Sequence, residues 1–423
     1  MLAIIKRAAL GALALVGATL TGLPSAVPAA HAQGAPPIRF GYIDPLSGAF
    51  AQQGDASLKM FAYVLDRVNA KGGALGRKLE LVPFDSKLQP AEALIALKAI
   101  TDQNMPFFMH CAGSNVAAAL VDGVSKHNQR NPTNRVLYFN CGALASDLTN
   151  EQCNFWHFRF DGHTGMRAAS LVRALPKDVT SVYLMNQDYL FGQTLQKETK
   201  EWLAQLRPDI KIVGEELIPL GKIKDFSPYV AKIKSTNPQV LITGNWGPDV
   251  NLLLKASVEL GLEAKFYTYL SHVVGAVTAA GPAAEDRLFS VSEFHPNVPV
   301  EENNAAAEAF VTEWRKKHDF DLFQINVVTM FEMVVAAINK AGSLDPQKIA
   351  LALEGMKVTD LLGHENIMRA DDHQLIEPFY VSQLVKNVKY DSEKTGLGWK
   401  TQTRVDAADL VQPHSCKMQR PKS

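Results

Sequence analysis

What most limits the fold of this chain is an alternation. From Ile38 onward, short β-prone runs ("IRFGYID", "KLELVPFD", "PFFMHC", "RVLYFNC", "SVYLMNQD", "QVLITGNW", "KFYTYL", "LFSVSEF") are mostly separated by longer stretches with helical spacing. In "DASLKMFAYVLDRVNAKGG", Leu58, Phe61, Leu65 and Val68 share one helical face, and Gly72-Gly73 stops the helix. Strand and helix repeated in this way predict βαβ units: an α/β fold with parallel sheets and helices on both faces. No solenoid repeat or low-complexity block interrupts the pattern.

Ahead of this region, Lys6 and Arg7 precede the apolar stretch "AALGALALVGATL", which suits a signal-peptide core and is too short to span a bilayer. Ala30-His31-Ala32 fits a cleavage site, so residues 1–32 are expected to be a signal peptide and the exported chain to be soluble in the periplasm. About 390 residues then remain, enough for two ordinary domains. Lys+Arg and Asp+Glu balance at 43 each, which gives no reason to expect nucleic acid or an anionic membrane as partner. Cys111, Cys141, Cys153 and Cys416 suggest bridges in an oxidising compartment, and four cysteines allow three connectivities. Cys153–Cys416 is the expected pairing, tying down the C-terminal tail, with Cys141–Cys153 as the alternative. No C-x-x-C or H-E-x-x-H spacing points to a metal.

In open parallel sheets, ligands bind beyond the carboxyl ends of the strands, so the residues after each run carry the functional information. The first run is followed by Ser47 and Phe50. "PFFMHC" is followed by Gly113, Ser114 and Asn115 at a helix start, where backbone amides and a hydroxyl favour an anion. "RVLYFN" is followed by Gly142 and Ala143, whose small side chains leave their amides approachable. The later runs lead to Tyr189 and Phe191, to Asn245 and Trp246, and to Ser271 and His272. A pocket drawing on both halves would grip a carboxylate at one end and an apolar or aromatic body at the other. Signatures of catalysis are missing: there is no G-x-S-x-G elbow, no phosphate loop and no G-x-G-x-x-G after the first strand. Asp371-Asp372 reads as a solvent-facing polar turn.

"GYIDPLSGAFAQQGDASLKMFAYVLDRVNAKGGALGRKLELVPFD", "NQDYLFGQTL" and "DFSPYVAKIKSTNPQVLITGNWGPDVNLLLKASVELGL" resemble the periplasmic substrate-binding proteins of ABC transporters, in the leucine/isoleucine/valine-binding branch. The resemblance spans nearly the whole exported chain. It implies two doubly wound lobes, 33–161 plus 296–363 and 162–295 plus 364–423, joined by a three-segment hinge. "NFWHFRFDGHTG" and "FSVSEFHPNVP" are the crossings legible in the sequence. The resemblance further implies a membrane permease as partner, no cofactor, and Ser114 with Gly142–Ala143 as the carboxylate site. Phe191 and Trp246 fall near positions where amino-acid binders place aromatic residues.

Two departures from the family pattern shape the ligand expectation. Leu144 stands about where amino-acid binders carry a Thr, and Leu270 or Ser271 where they carry an acid for the ligand's ammonium. Burying an unpaired ammonium would cost several kcal/mol. The expectation is therefore a monomeric, non-catalytic receptor for a small organic acid, an aromatic carboxylate. Ser114, Asn115, Gly142 and Ala143 would hold the anion; Phe50, Tyr189, Phe191 and Trp246 would stack; His272 or His163 would add a polar contact. Alternatives are amino-acid or amide binding by the same fold, or a sensor that signals to a partner protein.

Overall fold

A computed structural model describes residues 35–421, so the expected signal peptide at 1–32 lies outside the described residues. The first sheet comprises β1 (Ile38–Asp44), β2 (Leu79–Asp85), β3 (Phe107–His110), β4 (Leu137–Asn140) and β5 (His157–Arg159), in the order β2-β1-β3-β4-β5. Its pairs are all parallel. The crossovers are α1 (Ala51–Ala70), α2 (Pro90–Asp102) and α3 (Ser114–Arg130). Helices on both faces leave β3 and β4 wholly buried, which is why they read as continuous apolar runs. In α1, Phe61 and Leu65 are buried while Leu58 and Val68 pack at the margin of the same core. Gly73, at φ 68°, ends the helix by donating its N–H to the Val68 carbonyl at 3.0 Å.

A second lobe follows: α4 (Thr164–Ala174), β6 (Ser181–Gln187), α5 (Leu190–Leu206), β7 (Lys211–Ile218), α6 (Ser227–Ser235), β8 (Val240–Thr243), α7 (Pro248–Glu259), β9 (Lys265–Thr268), α8 (Ala276–Ala280) and β10 (Leu288–Ser292). The chain then returns through α9 (Val298–Glu301), α10 (Ala305–Lys317), α11 (Asn326–Ala341) and α12 (Pro346–Leu353). Phe310, Trp314, Phe331 and Ile349 of this return bury in the first lobe's core. A small antiparallel sheet comes next, β11 (Lys357–Thr359), β12 (Glu365–Met368) and β13 (Leu375–Ile376). Finally β14 (Phe379–Val385) and β15 (Gly398–Val405) complete the second sheet, in the order β15-β14-β10-β9-β8-β6-β7.

Three features differ from the sequence reading. The second sheet is mixed, because β14 pairs antiparallel with both β10 and β15. The segment 364–423 does not stay with the second lobe. Residues 365–368 hydrogen-bond to β11, Met368 and Leu375 pack into the first core, and the tail ends at a Cys153–Cys416 disulfide on the first lobe. Asp372 is not solvent-facing: it is 1% exposed and accepts from Arg369 Nε at 2.8 Å, while Asp371 stays at the surface.

The polypeptide passes between the lobes after β5, after β10 and between β13 and β14. The carboxyl ends of both sheets therefore face one cleft, which contains about 690 Å³ of empty space, part of it open to solvent.

Candidate functional site

One end of the cleft is built from the turns after β3 and β4. Gly113 takes φ 93°, and the amide of Ala112 donates to the buried Asp44 carboxylate at 2.8 Å, so the turn is held from below. Burial raises the Asp44 carboxyl to about 6. Ser114 then opens α3; its Oγ accepts from the Ala145 amide at 3.1 Å and keeps its own proton to donate. The turn after β4 is organised by Asn140, whose Oδ1 accepts from Gly142 N at 3.2 Å and Ala143 N at 2.9 Å. This corrects the expectation that those two amides stand open to a ligand: a short polar side chain already occupies them. A disulfide between Cys111 and Cys141 joins the two turns, and the Cys141–Cys153 alternative is not formed.

Of the residues expected to bind, Ser114, Gly142, Tyr189, Phe191, Trp246 and His272 line the cleft. Trp246 donates its indole N–H to the Tyr189 hydroxyl at 2.8 Å, so the two rings form one wall of the second lobe. The His272 ring pairs through Nδ1 with Ser290 Oγ at 3.0 Å, and burial holds it neutral, well below the usual histidine range.

The remaining expected residues lie elsewhere. Ala143 is buried behind the turn, and Asn115 sits in the first turn of α3 without lining the cleft. Phe50 is wedged between the lobes, against Trp246, rather than into the cleft. His163 is the N-cap of α4, its Nδ1 accepting from Gly165 N at 3.1 Å. Asn245 is buried at the end of β8, and Ser271 is paired with Thr268.

The largest correction concerns charge. Asp161 and Glu293 both line the cleft, so carboxylates are present although none follows β9 in sequence. Arg167, at the start of α4, donates to Asp161 Oδ1 at 2.6 Å and to Glu293 Oε2 at 3.0 Å. Burial, then repulsion from Asp161, pushes the Glu293 carboxyl up to about 7. Glu377 is buried beside them and, for the same two reasons, lies well above the carboxylate range. Each acid comes from a different crossing: Asp161 from the first, Glu293 from the second, Glu377 from the third. The available signal was a charged residue inside each apolar crossing run. Gln53 and Gln324, which also line the cleft, were missed as well, because a helix start and a loop supply them rather than a strand end.

Comparison with known proteins agrees with this architecture. A family model described as "Periplasmic binding protein" matches residues 37–389. The chain is 31% identical, over 92% of its length and 94% of the relative's, to the Leu/Ile/Val-binding protein homolog 4 of Brucella abortus (strain 2308). Its structure is similar to the closed conformation of a leucine-, isoleucine-, valine-, threonine-, and alanine-binding protein from Brucella ovis. The TM-score is 0.81 at 30% identity, covering 91% of this chain and 100% of that one. A solute-binding protein of an ABC transporter from Rhodopseudomonas palustris BisB5, in complex with 3,4-dihydroxy benzoic acid, shares the fold. There the TM-score is 0.75 at 17% identity, covering 88% of this chain and 97% of that one. The chain is a member of the periplasmic binding protein family, solute-binding proteins rather than enzymes.

Proposed function

We propose that this chain is an exported receptor that captures a small organic acid between its lobes in the periplasm and delivers it to an ABC permease. The observation that carries the reading is the cleft's division of labour. Gly113, Ser114 and Gly142 line one end, where the Ser114 hydroxyl can donate, while Trp246, Tyr189, Phe191 and Phe323 offer apolar walls. A carboxylate on an apolar, aromatic body satisfies both halves at once. Closure over such a ligand links the two lobes through it, so binding stabilises the fold by mass action.

A second reading is favoured by Asp161 and Glu293. The argument against an amino acid was that no acid could meet its ammonium, and these two carboxylates remove it. Thermal-shift titration with benzoate, cinnamate, leucine, glutamate and urea separates the readings. A shift with the aromatic acids and none with urea is expected; a shift with leucine and none with aromatic acids would transfer the assignment to amino acids.

A further inference from the structure

We infer that Gln53 is a specificity-determining residue of this cleft, reading a hydroxyl or amide carried on the body of the carboxylate ligand. The inference rests on the carboxylate reading above and names what the rest of the ligand must contain.

Gln53 lies in the first turn of α1, is 7% exposed and lines the cleft. Its Oε1 is buried without a hydrogen-bond partner. The neighbouring polar groups each already have a partner, unlike the Gln53 Oε1. The Tyr189 hydroxyl receives the Trp246 indole, Asp161 and Glu293 are held by Arg167, and His272 is paired with Ser290. Gln324 also has an unpartnered Oε1, but it sits at the other end, its Nε2 3.5 Å from where a Cβ on Gly142 would stand. Gln53 instead faces the second lobe, its Oε1 3.5 Å from the corresponding point on Gly247, next to Trp246. The amide is therefore set against the wall assigned to the ligand's body.

A buried amide oxygen without a partner opposes closure, and a ligand that supplies the partner removes that opposition. A hydroxyl both donates and accepts, so it satisfies the glutamine whichever way its amide is turned; a primary amide does the same. A purely hydrocarbon body leaves Gln53 unpaired in the closed state. Sites built to bond a substrate hydroxyl reject the analogue that lacks it far more strongly than apolar pockets reject a missing methylene.

Calorimetric titration of the mature chain with matched pairs tests this: 4-hydroxybenzoate against benzoate, tyrosine against phenylalanine, threonine against valine. The pairs also separate an aromatic-acid ligand from an amino acid. The expected result is at least tenfold tighter binding of the donor-bearing member in one pair. In Gln53→Leu that ratio collapses to within threefold, through loss of the donor-bearing ligand. Gln53→Met, judged alongside by its ligand-free melting temperature, guards against a folding defect, and the wild-type ratios decide the matter if neither variant folds. Equal affinities within every pair, or an unchanged ratio in the variants, would overturn the inference while leaving the carboxylate reading intact. Binding of no carboxylate at all would overturn both.

Discussion

Phe50 on the first lobe and Trp246 on the second lie with ring centroids 4.5 Å apart. Gly221 and Gly247 make room for the contact, since a Cβ at either would come within 2.8 Å of the Phe50 ring. Spreading the lobes breaks this contact, so it favours closure. An aromatic pair contributes about 0.5–1.5 kcal/mol beyond its buried area, about two- to tenfold in affinity. Phe50→Ala, which also removes the buried area, should weaken ligand binding by at least that factor and enlarge the ligand-free radius of gyration in X-ray scattering. Unchanged values in both would show that the contact does not bias the lobes.

Ser114 accepts from Ala145 and keeps its own proton to donate, so Ser114→Ala removes a donor without emptying much volume. A carboxylate ligand should lose roughly 1.5–3 kcal/mol, the range for a hydrogen bond to a charged group. Calorimetry with the tightest-binding acid reads this directly. An unaltered Kd would place the anion elsewhere in the cleft.

The Glu293 carboxyl, raised to about 7 from its ordinary 4.5, makes stability depend on pH. Between those values the folded chain holds a proton that the unfolded chain has released. The contribution of Glu293 to stability should therefore fall as pH rises through this window and level off above it, against the opposite contribution of buried histidines such as His272. Glu293→Gln should remove that falling contribution, so the variant's melting temperature from about pH 4.5 to 8 should slope more steeply upward, or less steeply downward, than the wild type's. A parallel slope in the variant would assign the effect to other groups.

The two disulfides should fail differently. Cys153–Cys416 closes a loop of sequence separation 263, whereas Cys111–Cys141, of separation 30, braces the turns at the donor end of the cleft. Replacing Cys153 and Cys416 together by Ser should cost about 2–4 kcal/mol of stability with little change in affinity. Replacing Cys111 and Cys141 should instead weaken ligand binding at least severalfold. The reverse pattern, from denaturant titration and calorimetry on both variants, would refute this division.

The α/β architecture was legible because strands covered on both faces must be apolar, as "FFMH" and "LYFN" are. The edge strands β7 and β15 alternate exposed and covered residues and so escaped a reading keyed to greasy runs. Ser114, Trp246 and His272 converge because topology gathers strand ends in one place. Position near a strand end does not settle where a side chain points. Phe50 turned to the opposite lobe, His163 to a helix cap, and Asn140 claimed the amides assigned to a ligand. Asp161 and Glu293 are distant in sequence from each other and from β9, so their meeting at Arg167 is a product of tertiary structure.

That meeting has a mechanical consequence. A single guanidinium rivets the first two interlobe strands, with the acid of the third packed against them. Neither of those two can slide past the other without stripping a partner from an ion shielded from water. Shear between the first two crossings is accordingly opposed, and a hinge that keeps them together is favoured.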